Sequence, residues 1–307
     1  MLGQKQMTTD GRILDKVEAS IERLKAFEPP EGYYVAFSGG KDSQCIYHLC
    51  KMAGVKFDAH NNVTSVDPPE LIRFIKKNYP DVHWQYPRDK DGKVITMWNL
   101  IPRKRMPPTR LARYCCEHFK ESSGKGRITV TGVRWAESAN RAGNQGVAVF
   151  FGKPKKTEKA AQEIGANYKI NKRGNVILND DNDEARRMVE HCYRTQKTMV
   201  NPIVDWEEED VWEFLNGNGI EHCCLYDQGY KRLGCIGCPM NTAAAAADLA
   251  KYTVYRSNYI KAFDRMIANN KADGIKMQEK WKDGESVLKW WLKESDTEGI
   301  DESFSGV

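Results

Sequence analysis

The stretch from Tyr33 to Cys50, YYVAFSGGKDSQCIYHLC, constrains this chain more than any other. Tyr33, Val35 and Phe37 alternate as in a strand, and Ile46, Leu49, Cys50 and Ala53 follow at helical spacing up to Gly54. Between them, Ser38, Gly39, Gly40, Lys41, Asp42 and Ser43 place two residues that tolerate positive φ, two hydroxyls and one ammonium where a helix begins. Backbone N–H groups at such a helix start converge on one anion, so the stretch predicts a phosphate site. The common nucleotide P-loop needs glycine at position 35 and a hydroxyl residue at 42. Val35 and Asp42 stand there instead, which excludes that motif.

The chain is 307 residues long, enough for one large core or a core with a smaller lobe. A net charge of +5 suits a phosphate-bearing ligand and is too small to argue for nucleic acid. No apolar run reaches the length of a membrane span, and MLGQKQMTTD lacks the apolar centre of a secretion signal. The expectation is a soluble cytoplasmic protein with no membrane partner. In that reducing compartment, nine cysteines favour metal ligation or redox work over disulfides.

Along the chain, 1–30 reads as an N-terminal helix, with Thr9 or Asp10 as cap and Ile13 to Phe27 at helical spacing until Pro29-Pro30. Residues 31–245 read as an α/β domain: a strand before the glycine loop, a second at 56–63, a helix at 68–79, a third strand at 82–86, and a further one in RITVTGVR at 127–134. This βαβαβ order predicts a doubly wound, mostly parallel sheet that binds ligands beyond the carboxyl ends of its strands. Asp67, after the second strand, reads either as a ribose or adenine contact or as a helix cap beside Pro68. Residues 99–121 read as a basic, Pro-punctuated stretch, either a flexible loop over a polyanionic substrate, which is favoured, or a solvated connection. Residues 151–194 look inserted, with a hairpin around Arg173-Gly174-Asn175 and no core of their own. In NPIVDWEEEDVWEFL, Asp205 and Glu208 read as a capping box. Residues 246–307 read as helices whose Tyr252, Tyr255, Tyr259, Phe263 and Ile267 could stack on bases or form a core stripe or oligomer contact, the latter pair being favoured.

SGGKDS after an apolar strand, GVRWAES with Arg141, NPIVDW with DVWEFL, and GYKRLGCIGCP together resemble the phosphoadenosine phosphosulfate reductase family, part of the PP-loop superfamily of ATP pyrophosphatases and adenine nucleotide alpha hydrolases. The resemblance covers roughly residues 30 to 245. It implies an adenine-nucleotide ligand, ATP or a sulfonucleotide, held by the loop, with Lys41, Asp42 and Arg134 in catalysis, Gly132 close to the phosphates, Arg134 and Arg141 as phosphate ligands, and Mg²⁺ bridging oxygens.

Cys115-Cys116, Cys223 and the Cys235-x-x-Cys238-Pro239 motif form a second candidate site, since four thiolates can surround an iron–sulfur cluster or tetrahedral zinc. The resemblance implies a [4Fe-4S] cluster on Cys235 and Cys238 with two more ligands from Cys115, Cys116 and Cys223. Cys45, Cys50 and Cys192 read as plain buried residues. Reductases of this family use a cysteine near the C-terminus as nucleophile, and no cysteine follows Cys238 here. The expected activity is therefore cleavage of ATP to AMP and pyrophosphate, adenylating a nucleic-acid or small-molecule acceptor for sulfur transfer, with a sulfur-donor or electron-donor protein as partner. The alternatives are a sulfonucleotide reductase that borrows a partner's thiol, and a non-catalytic nucleotide sensor.

Overall fold

In the computed structural model, which describes residues 6–7, 13–121, 123–124, 126–151, 154–192 and 197–292, the apolar strand ahead of the glycine loop sits inside an eight-stranded sheet. Its strands are β1 (Tyr33–Ala36), β2 (Phe57–Asn62), β3 (His83–Gln85), β4 (Ile128–Val130), β5 (Ala148–Phe151), β6 (Tyr168–Ile170), β7 (Val176–Leu178) and β8 (Lys197–Val200). The spatial order is β3-β2-β1-β4-β8-β5-β7-β6. Neighbours from β3 through β8 pair in parallel, while β5, β7 and β6 extend the sheet by antiparallel pairing. The expected doubly wound, mostly parallel α/β fold is borne out. Because β2 lies on one side of β1 and β4 on the other, the strand order reverses at β1, the position where such sheets bind ligands.

By packing, the described residues fall into two compact units: Met1–Val63, Pro69–Gln85 and Ser122–Leu233 form the first, Thr64–Pro68, Tyr86–Glu121 and Gly234–Val307 the second. This division differs from the expected boundaries at 30 and 245, because the segments after β2 and β3 join the C-terminal helices rather than the sheet.

In the first unit, helices α1 (Lys16–Ala26), α2 (Lys41–Ala53) and α3 (Pro69–Asn78) accompany the parallel strands. Ile46, Leu49 and Cys50 of α2 and Ile75 of α3 are fully buried with Tyr33 and Val35, which is the helical and strand periodicity read from the sequence. The N-cap of α1 is Asp15, in a capping box with Glu18; the expected caps Thr9 and Asp10 lie outside the described residues. The 151–194 segment adds α5 (Pro154–Ile164), the expected hairpin β6–β7 and α6 (Asp183–Cys192). Ala161, Val176 and Met188 join the main core, so this segment has no separate core. Strands β5 and β8 were not anticipated.

One cap differs from expectation. Helix α7 (Glu208–Gly217) is capped by Glu207 in a box with Asp210, not by Asp205 with Glu208. Asp205 is engaged elsewhere, by Arg23, and Glu208 turns toward the glycine loop.

The second unit is helical: α4 (Met97–Lys104), α8 (Thr242–Lys251), α9 (Thr253–Ala272) and α10 (Gly284–Leu292). Of the aromatic stripe, Tyr259, Phe263 and Ile267 are buried in the core with Leu100, Ile101 and Leu288, and Tyr252 and Tyr255 pack against it half-buried. Helix α4 corrects the expectation of a loop from 99, since Thr96 and Asn99 form a capping box that starts a helix there. Pro102 inside it has no N–H for the Trp98 carbonyl four residues back. Arg265 of α9 supplies the missing donor, its Nη2 lying 2.7 Å from that oxygen.

Candidate nucleotide site and cysteine cluster

The loop after β1 bends through Gly39, whose φ is +74°; a Cβ there would stand 2.6 Å from the side chain of Ile75, so only glycine fits. Helix α2 then begins at Lys41, a residue buried at 4% exposure. The Lys41 ammonium donates to the Lys231 carbonyl at 2.8 Å and pairs with Glu208 Oε1 at 3.2 Å. Its backbone N–H, one of those free at a helix start, donates to the Tyr226 hydroxyl at 2.9 Å. Ser43 Oγ donates to the Gly40 carbonyl at 2.8 Å, and Ser38 Oγ lies 3.3 Å from Ser43 Oγ.

The end of β4 adjoins this loop at Gly132, where a Cβ would stand 2.9 Å from the backbone of Asp42. That close approach brings Arg134 alongside. Its Nε donates to Asp42 at 2.6 Å, Nη1 to the Trp206 carbonyl at 3.3 Å and Nη2 to Glu208 at 2.7 Å. Burial pulls the Arg134 pKa down, but Asp42 and Glu208 outweigh it and hold it above the ordinary value. The Glu208 carboxyl is pushed up by partial burial and pulled further down by Arg134 and Lys41, so it ionises below the usual range. Arg141 pairs with Glu137, and burial, with the nearby Arg232 charge, lowers its pKa.

Ser38 to Ser43, Gly132 and Arg134 thus gather at the ends of two adjacent strands. The sequence reading missed Glu208, Tyr226 and Lys231. Glu208 had a local explanation as a cap residue, Lys231 was read only as part of GYKRLGCIGCP, and Tyr226 lies outside the motifs; only folding brings them to Lys41.

Of the five candidate metal ligands, four lie in the second unit. Cys115 is hydrogen-bonded to Cys116, and the charges of Cys116, Cys235 and Cys238 act with that bond and burial to raise its pKa. Cys116 is lowered, first by the Cys115 bond, then by the Arg113 hydrogen bond and the Lys120 charge. Burial pushes Cys235 up to about 11. Lys120, also missed at the sequence level, is raised first by Cys235 and then by Asp67, Cys116 and Cys238. Asp67 therefore stands beside the cysteines, its carboxylate accepting the Thr64 N–H at 3.1 Å and its own pKa raised by burial. Cys223 is in the core of the first unit, pushed up to about 11 by burial. As a donor set, four sulfurs with a lysine among them suit a thiolate-ligated centre. Among the described residues, no three His, Cys, Asp or Glu side chains are arranged to hold a single metal ion. No described helix is long and apolar enough to cross a membrane.

The family profile described as "Phosphoadenosine phosphosulfate reductase domain" matches residues 32–241. An adenosine 5′-phosphosulfate reductase of Oceanobacillus iheyensis is 38% identical over 45 residues, which cover 15% of this chain and 19% of that protein. One from Neisseria meningitidis serogroup A is 45% identical over 38 residues, 12% of this chain and 16% of that protein. A probable FAD synthase of Caenorhabditis elegans is 49% identical over 39 residues, 13% of this chain and 8% of that protein. The chain spans less than a fifth of the length of these curated relatives. Among solved structures, phosphoadenylyl-sulfate reductase from Candida auris aligns with a TM-score of 0.44 at 13% identity, over 72% of this chain and 88% of that one. Candida glabrata FMN adenylyltransferase with FAD and inorganic pyrophosphate aligns with a TM-score of 0.41 at 15% identity, over 72% and 62%.

Proposed function

The chain belongs to the phosphoadenosine phosphosulfate reductase domain family, and we propose that it uses this fold to cleave ATP between its α- and β-phosphates, adenylating an acceptor and releasing pyrophosphate. The observation that carries this reading is the pair of cations, Lys41 and Arg134, sharing one carboxylate at the mouth of the glycine loop. Cations held that way beside the N–H groups of a helix start suit a polyphosphate whose charge grows on the leaving side.

The roles follow from position. Gly39 and Gly40 let the backbone approach phosphate oxygens, the Lys41 ammonium and the α2 N-terminus offset charge on departing pyrophosphate, and Ser38 and Ser43 supply hydroxyl donors. Arg134 holds Asp42 through Nε and offers Nη2 to a phosphate oxygen once Glu208 moves away; Arg141 is a second guanidinium, for the α-phosphate. Bound Mg²⁺ would neutralise phosphate charge, with carboxylate oxygen the fitting donor. Cys115, Cys116, Cys235 and Cys238 would hold a [4Fe-4S] cluster, which would supply a site for sulfur handling in thiolation of the adenylated acceptor. The acceptor is a nucleic acid or a small molecule.

The test is product analysis with labelled ATP. Pyrophosphate and AMP, lost in Lys41→Ala, support the reading. The family match favours one rival, a sulfonucleotide reductase working with a partner's thiol. Release of sulfite from a sulfonucleotide in the presence of thioredoxin, without turnover of ATP, would select that rival. Nucleotide binding with neither product would mark a sensor.

A further inference from the structure

Glu208 bridges the two cations of the loop: Oε1 lies 3.2 Å from the Lys41 ammonium and Oε2 2.7 Å from Arg134 Nη2. Two oxygens on one centre spanning two cations is also how a phosphoryl group would sit there. Two further donors of the cradle are likewise taken by the chain itself. The Tyr226 hydroxyl accepts the Lys41 N–H at 2.9 Å, and the Lys231 carbonyl accepts the Lys41 ammonium at 2.8 Å. The Glu208 side chain is nonetheless 47% exposed, so it can swing out without unpacking the core.

Charge gives this arrangement a consequence. Lys41 and Arg134 are balanced by Asp42 and Glu208, so these four side chains are together formally neutral. A metal-free polyphosphate that takes the cations leaves a displaced carboxylate beside its own negative charge. A polyphosphate that arrives with a divalent cation does not, since the ion offsets both.

Resting on the nucleotide reading above, we propose that Glu208 is the specificity-determining residue of the cradle: it stands in for a phosphoryl group, and its displacement sets a preference for polyphosphates that carry a divalent cation. Tyr226 and Lys231 complete the substitute shell. Trp212 reports on the exchange, because its indole Nε1–H donates to Glu208 Oε1 at 3.1 Å.

The experiment is calorimetric titration of the full chain with inorganic pyrophosphate, with and without Mg²⁺, in wild type, Glu208→Gln and Lys41→Ala. The inference expects Glu208→Gln to bind metal-free pyrophosphate about tenfold more tightly, the scale of one charge-assisted hydrogen bond, and to show a smaller gain on adding Mg²⁺ than wild type. Binding that Lys41→Ala abolishes while Glu208→Gln leaves it no tighter, or leaves the Mg²⁺ preference unchanged, overturns this inference and keeps the nucleotide reading. No binding by any variant overturns both. If Glu208→Gln does not fold, tryptophan emission answers instead: a pyrophosphate-dependent change in wild type that Trp212→Phe removes supports displacement, and one that it leaves intact overturns it.

Discussion

The guanidinium of Arg23 meets the carboxylate of Asp205 through two bonds, Nη1 to Oδ1 at 2.9 Å and Nη2 to Oδ2 at 2.8 Å, joining α1 to the turn before α7. Both side chains are 10% exposed, and Arg23 also donates to the Pro202 carbonyl at 2.9 Å. This clamp, with the buried Lys16–Asp210 pair, ties the N-terminal helix to α7 and the turn before it. Removing Asp205 leaves the Arg23 charge with the longer Asp181 contact at 3.7 Å, so Asp205→Ala is expected to cost about 3 kcal/mol. Urea denaturation of the variant measures it; a loss under half of that would show the clamp to be solvated.

Gly132→Ala tests the approach of β4 to the glycine loop. An added Cβ would meet the Asp42 backbone at 2.9 Å, and a backbone neighbour cannot swing aside as a side-chain tip can. Nucleotide binding is expected to fall at least about tenfold, the price of roughly 1.4 kcal/mol of displaced geometry, while the circular dichroism spectrum stays that of the wild type. Unchanged binding would separate Gly132 from the site.

Pro102 and Arg265 are expected to be coupled. Arg265→Met leaves the Trp98 carbonyl without its 2.7 Å donor and should cost about 1 kcal/mol. Pro102→Ala restores a backbone N–H to the helix, so the same Arg265 change in that background should cost less. A double-mutant cycle by thermal unfolding reads the coupling, and strict additivity would refute it.

Acid should destabilise the first unit through its histidines. Burial, ahead of the nearby Lys51 charge, lowers the His48 pKa from 6.5; burial likewise lowers His60, against the pull of Asp58. The unfolded chain takes up these protons as pH falls through 6.5, and the folded chain holds out to lower pH. Their contribution is therefore complete above pH 6.5 and is lost as pH drops through the folded values. Stability measured from pH 7.5 to 5 should decline, with a shallower slope in His48→Gln. An equal slope in that variant would remove His48 from the account.

Cys235→Ser with Cys238→Ser addresses the thiol cluster. Anaerobically purified wild type is expected to carry iron and acid-labile sulfide, and the double variant neither. Zinc in place of iron in the wild type would replace the cluster with a tetrahedral ion.

Much of the first unit could be read from local pattern. Strand, glycine loop and helix at 33–53 rest on contacts within one segment, and the buried set Ile46, Leu49 and Cys50 is the one that helical spacing names. The hairpin around Gly174 was visible for the same reason. Strands β5 and β8 were not, since VAVFF and KTMV are too short for a period to emerge and acquire their identity from pairing with each other. Asp205 shows the opposite failure: a plausible local role as a cap lost to Arg23, 182 residues away.

What the sequence determined by itself is where a glycine turn joins strand to helix and which cysteines lie close along the chain, because glycine tolerance, strand alternation and cysteine spacing are properties of neighbouring residues. Tertiary structure alone decided how those groups are used. Glu208 reaches Lys41 and Arg134 only when α7 packs beside α2, and Lys120 finds Cys235 only when segments more than a hundred residues apart share one unit. Charges are assigned partners by distance in space, and a linear pattern does not encode that distance until the core has closed.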